Sequence, residues 1–213
     1  MTEIFRVFKL EIKDSYQDEF FEVGKNNFKQ SIQLEEGTLG MFTAHLPTES
    51  NQKIVVERYE SDKAYQKHIN SSHFKVFSDL AKVAVKSSEV ITLNPKVFLQ
   101  KSEPLNIYEQ TDLSVRLATV KVSNNHQFAD MVLPFMKWSI AAEKGTLLLY
   151  AGIDNQNPNT WYFFEIYQND EAYDAHLETA QFKAYIQKSK DLVHYKELQV
   201  LSDEMLVTQS YNT

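Results

Sequence analysis

The chain contains itself twice. Glu35-Glu36-Gly37-Thr38-Leu39 returns as Glu143-Lys144-Gly145-Thr146-Leu147, and Glu57-Arg58-Tyr59 returns as Glu165-Ile166-Tyr167. Ala64-Tyr65-Gln66-Lys67-His68 returns as Ala172-Tyr173-Asp174-Ala175-His176, and Phe74-Lys75 as Phe182-Lys183. The offset is 108 at every pair (145 − 37, 176 − 68), so no gap separates the copies over these positions. A repeat of this length implies two small domains rather than one large one among the 213 residues. The expected division is 1–100, a linker at 101–112 carrying Pro104, and 113–213.

Each copy carries the same order of patterns. Ile4–Lys13 reads as a half-buried strand with Phe8, Leu10 and Ile12 on one face. Asp14-Ser15 offers a cap for a helix over 15–34, and Gly37 is placed to terminate it as a C′ residue. Thr38–Leu46 and Gln52–Glu60 read as two strands joined by a polar turn. Asp62 reads as the cap of a short helix, which Asn70-Ser71-Ser72 interrupts before a second one with Phe74, Phe77, Ala81 and Ala84 on one face. Val90–Gln100 closes the unit as a strand, its Pro95 suited to an edge or a bulge. The second copy gives Leu113–Val122, a helix from Ser123, strands near Thr146–Asp154 and Asn159–Tyr167, helices from Asp170 and a strand to about Thr208. The order β-α-β-β-α-β is the ferredoxin-like split unit, so the fold class is α+β. A four-stranded sheet with helices on one face must cover its other face, and two such sheets face to face are the expected solution, a barrel-like core within one chain.

Composition narrows the partners. A net charge of −7 argues against nucleic acid or an anionic membrane, both of which require basic patches. No apolar stretch approaches the ~18 residues of a membrane span. Met1-Thr2-Glu3-Ile4 runs straight into a strand-like segment, so no leader is read and a cytoplasmic location is expected. The absence of cysteine excludes disulfides, thiolate nucleophiles and zinc–thiolate sites. Five glycines form neither GxGxxG nor a P-loop, and no GxSxG occurs, so no cofactor is expected through a standard motif. His68 and His73 are five apart, which is not the spacing of a helical metal pair, and no metal site is expected.

The run Glu36-Gly37, Glu57-Arg58-Tyr59, Asp62, Ala64-Tyr65, His68 and Ser72-His73-Phe74 resembles the antibiotic biosynthesis monooxygenase family, and Gly145, Glu165-Ile166-Tyr167, Asp170, Ala172-Tyr173, His176 and Phe182 repeat the match. The resemblance implies a dimeric α+β barrel fold in which the tandem chain stands for a fused dimer, with a further homodimer left open. It places a pocket between the sheet and the helices of each unit. It also implies a cofactor-independent monooxygenase acting on a small aromatic or quinol-like molecule. A small-molecule binding or stress-response module, and an isomerase or detoxifying enzyme, remain open on the same scaffold. Haem-degrading relatives carry an Asn on the first strand, a Trp where His68 stands and a His on the last helix. Here Phe5-Arg6-Val7-Phe8 lacks the Asn, and Ser78 and Asp79 stand where the ligand would be, so haem degradation is not expected.

His68 is the candidate base, since a neutral imidazole can take a proton from a phenol or carbon acid near pH 7. Glu57, two residues from Tyr59 on one strand face, is the catalytic partner that would orient it. Tyr59, Tyr65, His73 and His45 complete the candidate binding set of the first copy, with His176, Glu165 and Tyr167 in the second. The alternative for both His68 and His176 is packing at a helix end. His45 and His73 become Ile153 and Gln181, so the first copy has the more ionisable site.

Overall fold

The structure, a computed structural model, describes residues 3–210. The start of the chain at Met1-Thr2 and residues 211–213 of the second repeat lie outside the described residues. The chain divides into two compact units. Of the described residues, unit 1 comprises 3–92, 102–111 and 202–210, and unit 2 comprises 93–101 and 112–201.

Unit 1 holds strand β1 (Ile4–Ile12), helix α1 (Gln17–Leu34), strands β2 (Thr38–Leu46) and β3 (Glu49–Tyr59), helices α2 (Asp62–Ile69) and α3 (Ser72–Ala84), and the first half of β4 (Val85–Gln100). Within it β3 lies between β1 and β2, antiparallel to both, with Glu57 opposite Arg6 on one side and Met41 on the other. Its sheet extends past β2 through the last residues of β9 (Val193–Thr208), where Gly40 faces Thr208. Residues 102–111, within the expected linker 101–112, are built into this unit. The short strand β5 (Asn106–Ile107) pairs with Val207 and Leu206, Thr111 donates to the Asp203 carboxylate, and Tyr108 packs on a cluster of Phe28, Met41, Val55, Met205 and Val207.

Unit 2 repeats the order with β6 (Ser114–Val122), α4 (Asn125–Ala142), β7 (Thr146–Asp154), β8 (Thr160–Tyr167), α5 (Asp170–Glu178), α6 (Ala180–Ser189) and the first half of β9. Leu93–Gln100 of β4 pairs with β7, with a register shift between Pro95 and Val97 where a proline cannot donate to the ladder. The units thus differ from the contiguous halves 1–100 and 113–213 at the closing strands. Each of those is 16 residues long, far beyond the usual ~5–6, so one half remains after its own repeat is paired.

Local chemistry sets the helix ends. Ser61 and Ser71 cap α2 and α3 by accepting from Ala64 and Phe74 N–H, and Asn169 caps α5 in the same way. Asp62, expected as a cap, is therefore a first-turn acid favourable at the helix dipole, as is Asp170. Asp14–Tyr16 forms a 3₁₀ turn before α1, whereas α4 follows β6 after a shorter connection capped by Asn124. The first strands consequently match at an offset of 110, with Arg6 and Arg116 opposite Glu57 and Glu165.

Gly37 does not end its helix in a left-handed conformation, because among the described residues no glycine has positive φ. A methyl at Gly37 would lie 2.5 Å from the Ala64 Cβ, and one at Gly145 would lie 2.5 Å from the Ala172 Cβ. The glycines of the repeated motif let α2 and α5 sit against the start of β2 and β7.

Candidate functional site

The break between α2 and α3 folds His68 and His73 onto one carboxylate. Glu35, the C-cap residue of α1, is 3% exposed. Its Oε2 lies 3.0 Å from His68 Nδ1 and accepts from Thr38 Oγ1 at 2.6 Å, while its Oε1 lies 2.7 Å from His73 Nε2. Ser31 Oγ donates to the Asn27 carbonyl and lies 3.3 Å from His68 Nδ1. Ser31 has its proton committed and Glu35 is an acceptor, so His68 Nδ1 must carry the hydrogen. His68 Nε2 is buried and without a protein partner. Burial pushes the Glu35 carboxyl up, but His68, Thr38 and His73 together outweigh it and hold the group below the usual range.

These three side chains place ligand-type atoms within 4.8 Å of one another. The break at Asn70-Ser71, expected from the sequence, puts the two histidines on separate helices, so helical spacing does not set their distance. The geometry is nevertheless satisfied as hydrogen bonds, and metal ligation would require both ring nitrogens to surrender their protons.

The open space of unit 1 lies in front of this cluster. A cavity of about 330 Å³ is bounded by the sheet (Phe8, Leu10, Val55, Glu57) and by the helices (Phe20, Gly24, Phe28, Phe77), with Tyr65 and Phe74 in its wall. Glu57 is the candidate residue that reaches it directly. Burial pushes the Glu57 carboxyl up, against the pull of His68, Tyr59 and Arg6. Tyr65 also lines the cavity and carries the Arg6 guanidinium 4.1 Å above its ring. A buried pair, Lys53 with Glu204, forms part of the wall, and Glu204 accepts from Thr43 as well.

The other predicted residues stand elsewhere. His68, expected at the pocket wall, is fully buried behind it, packed on Tyr59 at 5.3 Å and Phe74 at 4.7 Å between ring centroids. Tyr59 is buried between His68 and Tyr65, and burial together with Glu57 holds its phenol well above the usual range. His73 is spent on Glu35, and His45 has Nδ1 2.9 Å from the Leu46 carbonyl, outside the cavity lining.

Sequence reasoning missed Glu35 as a member of the site, although Glu143 and Ser139 keep it and Ser31 at the same offset. It also missed Asn27, which lines the cavity at 1% exposure with an amide oxygen that has no protein partner.

Unit 2 keeps the cluster and loses the space. Glu143 Oε2 receives Thr146 at 2.6 Å and His176 Nδ1 at 2.8 Å, with Ser139 Oγ also donating to it, while Oε1 is left unpartnered where Gln181 replaces His73. Glu165 is raised by burial and accepts from the Tyr167 hydroxyl at 3.0 Å. The pocket there, which His176, Glu165, Tyr167 and Tyr173 line, measures about 50 Å³. Gly24, Asn27, Lys53 and Val55 correspond to Val132, Phe135, Trp161 and Phe163, and these larger side chains occupy the volume.

Two ferredoxin-like α+β units in one chain define a tandem-repeat protein of the ferredoxin-like class, with an aromatic-walled cavity and an acid in its wall in one unit. The family profile described as antibiotic biosynthesis monooxygenase matches residues 4–80 and 115–188, and the chain belongs to that family. In structure it is similar to a candidate monooxygenase from Lactobacillus acidophilus NCFM, with 31% identity, 99% of this chain and 98% of that chain covered, and a TM-score of 0.92. A candidate monooxygenase from Fusobacterium nucleatum matches at 23% identity over 98% and 95% of the two chains, with a TM-score of 0.88. An anthrone oxidase-like protein shares the fold at 11% identity over 100% and 95%, with a TM-score of 0.56. No curated protein matches in sequence. Among the described residues no helix is long and apolar enough to cross a membrane.

Proposed function

We propose that the chain is a cofactor-independent monooxygenase whose working site is the unit 1 cavity, and that its substrate is a small electron-rich aromatic or quinol-like molecule. The observation that carries this reading is a 330 Å³ aromatic-walled cavity with the Glu57 carboxyl in its wall. An engineered cavity of ~150 Å³ holds benzene, so this one has room for two fused rings.

Glu57 is the base. A carboxyl raised by burial is a stronger proton acceptor than one in water, and it stands where a ring hydroxyl or activated C–H would lie. Removing that proton leaves an electron-rich anion in a dry site, where O₂ is the oxidant. In balance, the substrate loses two hydrogens and gains one oxygen atom, and the second oxygen leaves as water with those hydrogens. His68, held by Glu35 and packed on Tyr59 behind the cavity wall, acts as a positioning group.

Oxygen uptake against a panel of quinols and hydroxylated aromatics tests the reading. Glu57→Gln should lower kcat/KM by ~10²-fold or more, the scale of one general base. Saturable binding of the panel with no oxygen uptake from any member would overturn the reading and leave a binding module.

A further inference from the structure

The Asn27 amide oxygen is buried, lines the open cavity and has no hydrogen-bond partner in the protein. Buried polar atoms in folded proteins are almost always paired, and an exception signals a missing partner. Its own helix does not supply one: the neighbouring Ser31 hydroxyl spends its proton on the Asn27 backbone carbonyl, not on the side chain. The bordering space in which a partner could sit is the cavity. The second unit provides an internal control. Phe135 stands at the matching position, and there the space has shrunk to about 50 Å³. A polar side chain is thus present in the unit with room for a ligand, and an apolar one stands where there is little.

We infer that Asn27 is a specificity residue of the unit 1 cavity, and that it selects aromatic ligands carrying a hydrogen-bond donor, a ring hydroxyl or amine, over ligands of the same shape without one. An acceptor left unpaired by an apolar or alkylated ligand costs far more than the net worth of one satisfied bond, which is how a single amide can discriminate. The inference rests on the cavity being the ligand site, but not on its chemistry being oxygenation.

The test compares 2-naphthol, 2-methoxynaphthalene and naphthalene by direct titration of ligand fluorescence. The full-length chain should bind 2-naphthol about tenfold more tightly than the other two, the scale of one buried donor–acceptor pair. In Asn27→Leu, of similar size but apolar, the three affinities should converge to within about twofold, and the Tm should hold or rise because an unpaired acceptor has been removed. Asn27→Ala, which adds no branching, should lose the preference in the same way. A preference that survives in either folded variant, or no preference in the parent chain, would overturn the inference. So would failure of both variants to fold, which would make Asn27 a structural residue. Because no turnover is read, a chain that passes this test and consumes no oxygen refutes the oxygenase proposal alone.

Discussion

Replacing Gly37 by alanine tests why the repeated Glu-x-Gly motif exists. The added methyl would meet the Ala64 Cβ at 2.5 Å, nearly 1 Å inside ordinary contact. Both atoms are bonded directly to backbone, one at the start of β2 and one on α2, so no rotamer change relieves the clash. Either α2 moves, and with it His68 at its far end, or the strand start does. Overpacking of this kind costs ~1–3 kcal/mol, and the rigidity of both partners places Gly37→Ala near the top of that range. For a chain of this size ~3 kcal/mol corresponds to a fall in Tm of roughly 6–12 °C. Adding Ala64→Gly removes the clash at a helix-propensity cost of ~1 kcal/mol, so the double variant should recover about two thirds of the loss. Urea and thermal unfolding of the four proteins in the cycle measure this. The reasoning is refuted if Gly37→Ala unfolds within 1–2 °C of the parent, or if Ala64→Gly fails to rescue it.

Gly24 gives the opposite sign: its nearest neighbours to an added Cβ are 3.7 Å away, so Gly24→Ala should raise stability by ~0.5–1 kcal/mol on helix propensity alone, read by urea unfolding. Glu57→Gln, expected to lower kcat/KM by ~10²-fold or more, should also stabilise the fold. A carboxyl raised in the folded state weakens stability as pH climbs from its unfolded value of ~4.3 through its folded one, so the gain should be absent near pH 4 and grow as pH rises above it in paired unfolding curves. His73→Gln copies unit 2 and leaves Glu35 Oε1 without its partner, an expected loss of ~1–3 kcal/mol. Glu35 is held low, so its contribution should be present above pH ~4.3 and disappear as pH falls through its folded pKa, which acid unfolding of the parent checks.

The architecture was legible because a repeat exposes its own boundaries. The six strand and helix patterns of β1 through α3 and their copies follow from periodicity and from Ser and Asn caps near the expected places. What sequence could not give was the partner of each closing strand. Alternation says that Leu93–Gln100 is a strand, but not that it pairs with β7 in unit 2. The site was half legible for a similar reason. His68, Tyr59 and Glu57 recur at fixed spacing and do converge, but spacing cannot say which of two adjacent shells faces open space. His68 and Tyr59 fall in the buried shell, and Glu57 and Tyr65 at the cavity. Asn27 was invisible because it is not repeated. Its information lies in the difference from Phe135, which becomes readable only once a cavity is found on one side and filled on the other.

The central claim is one working cavity per chain, in unit 1. Calorimetric titration with 2-naphthol tests it most directly, using the parent, Val55→Phe, which places the unit 2 residue in the unit 1 wall, and the reciprocal Phe163→Val. The account predicts one ligand per chain in the parent, none in Val55→Phe and one, on the original site, in Phe163→Val. Two ligands per parent chain, or undiminished binding in a folded Val55→Phe protein, would contradict it.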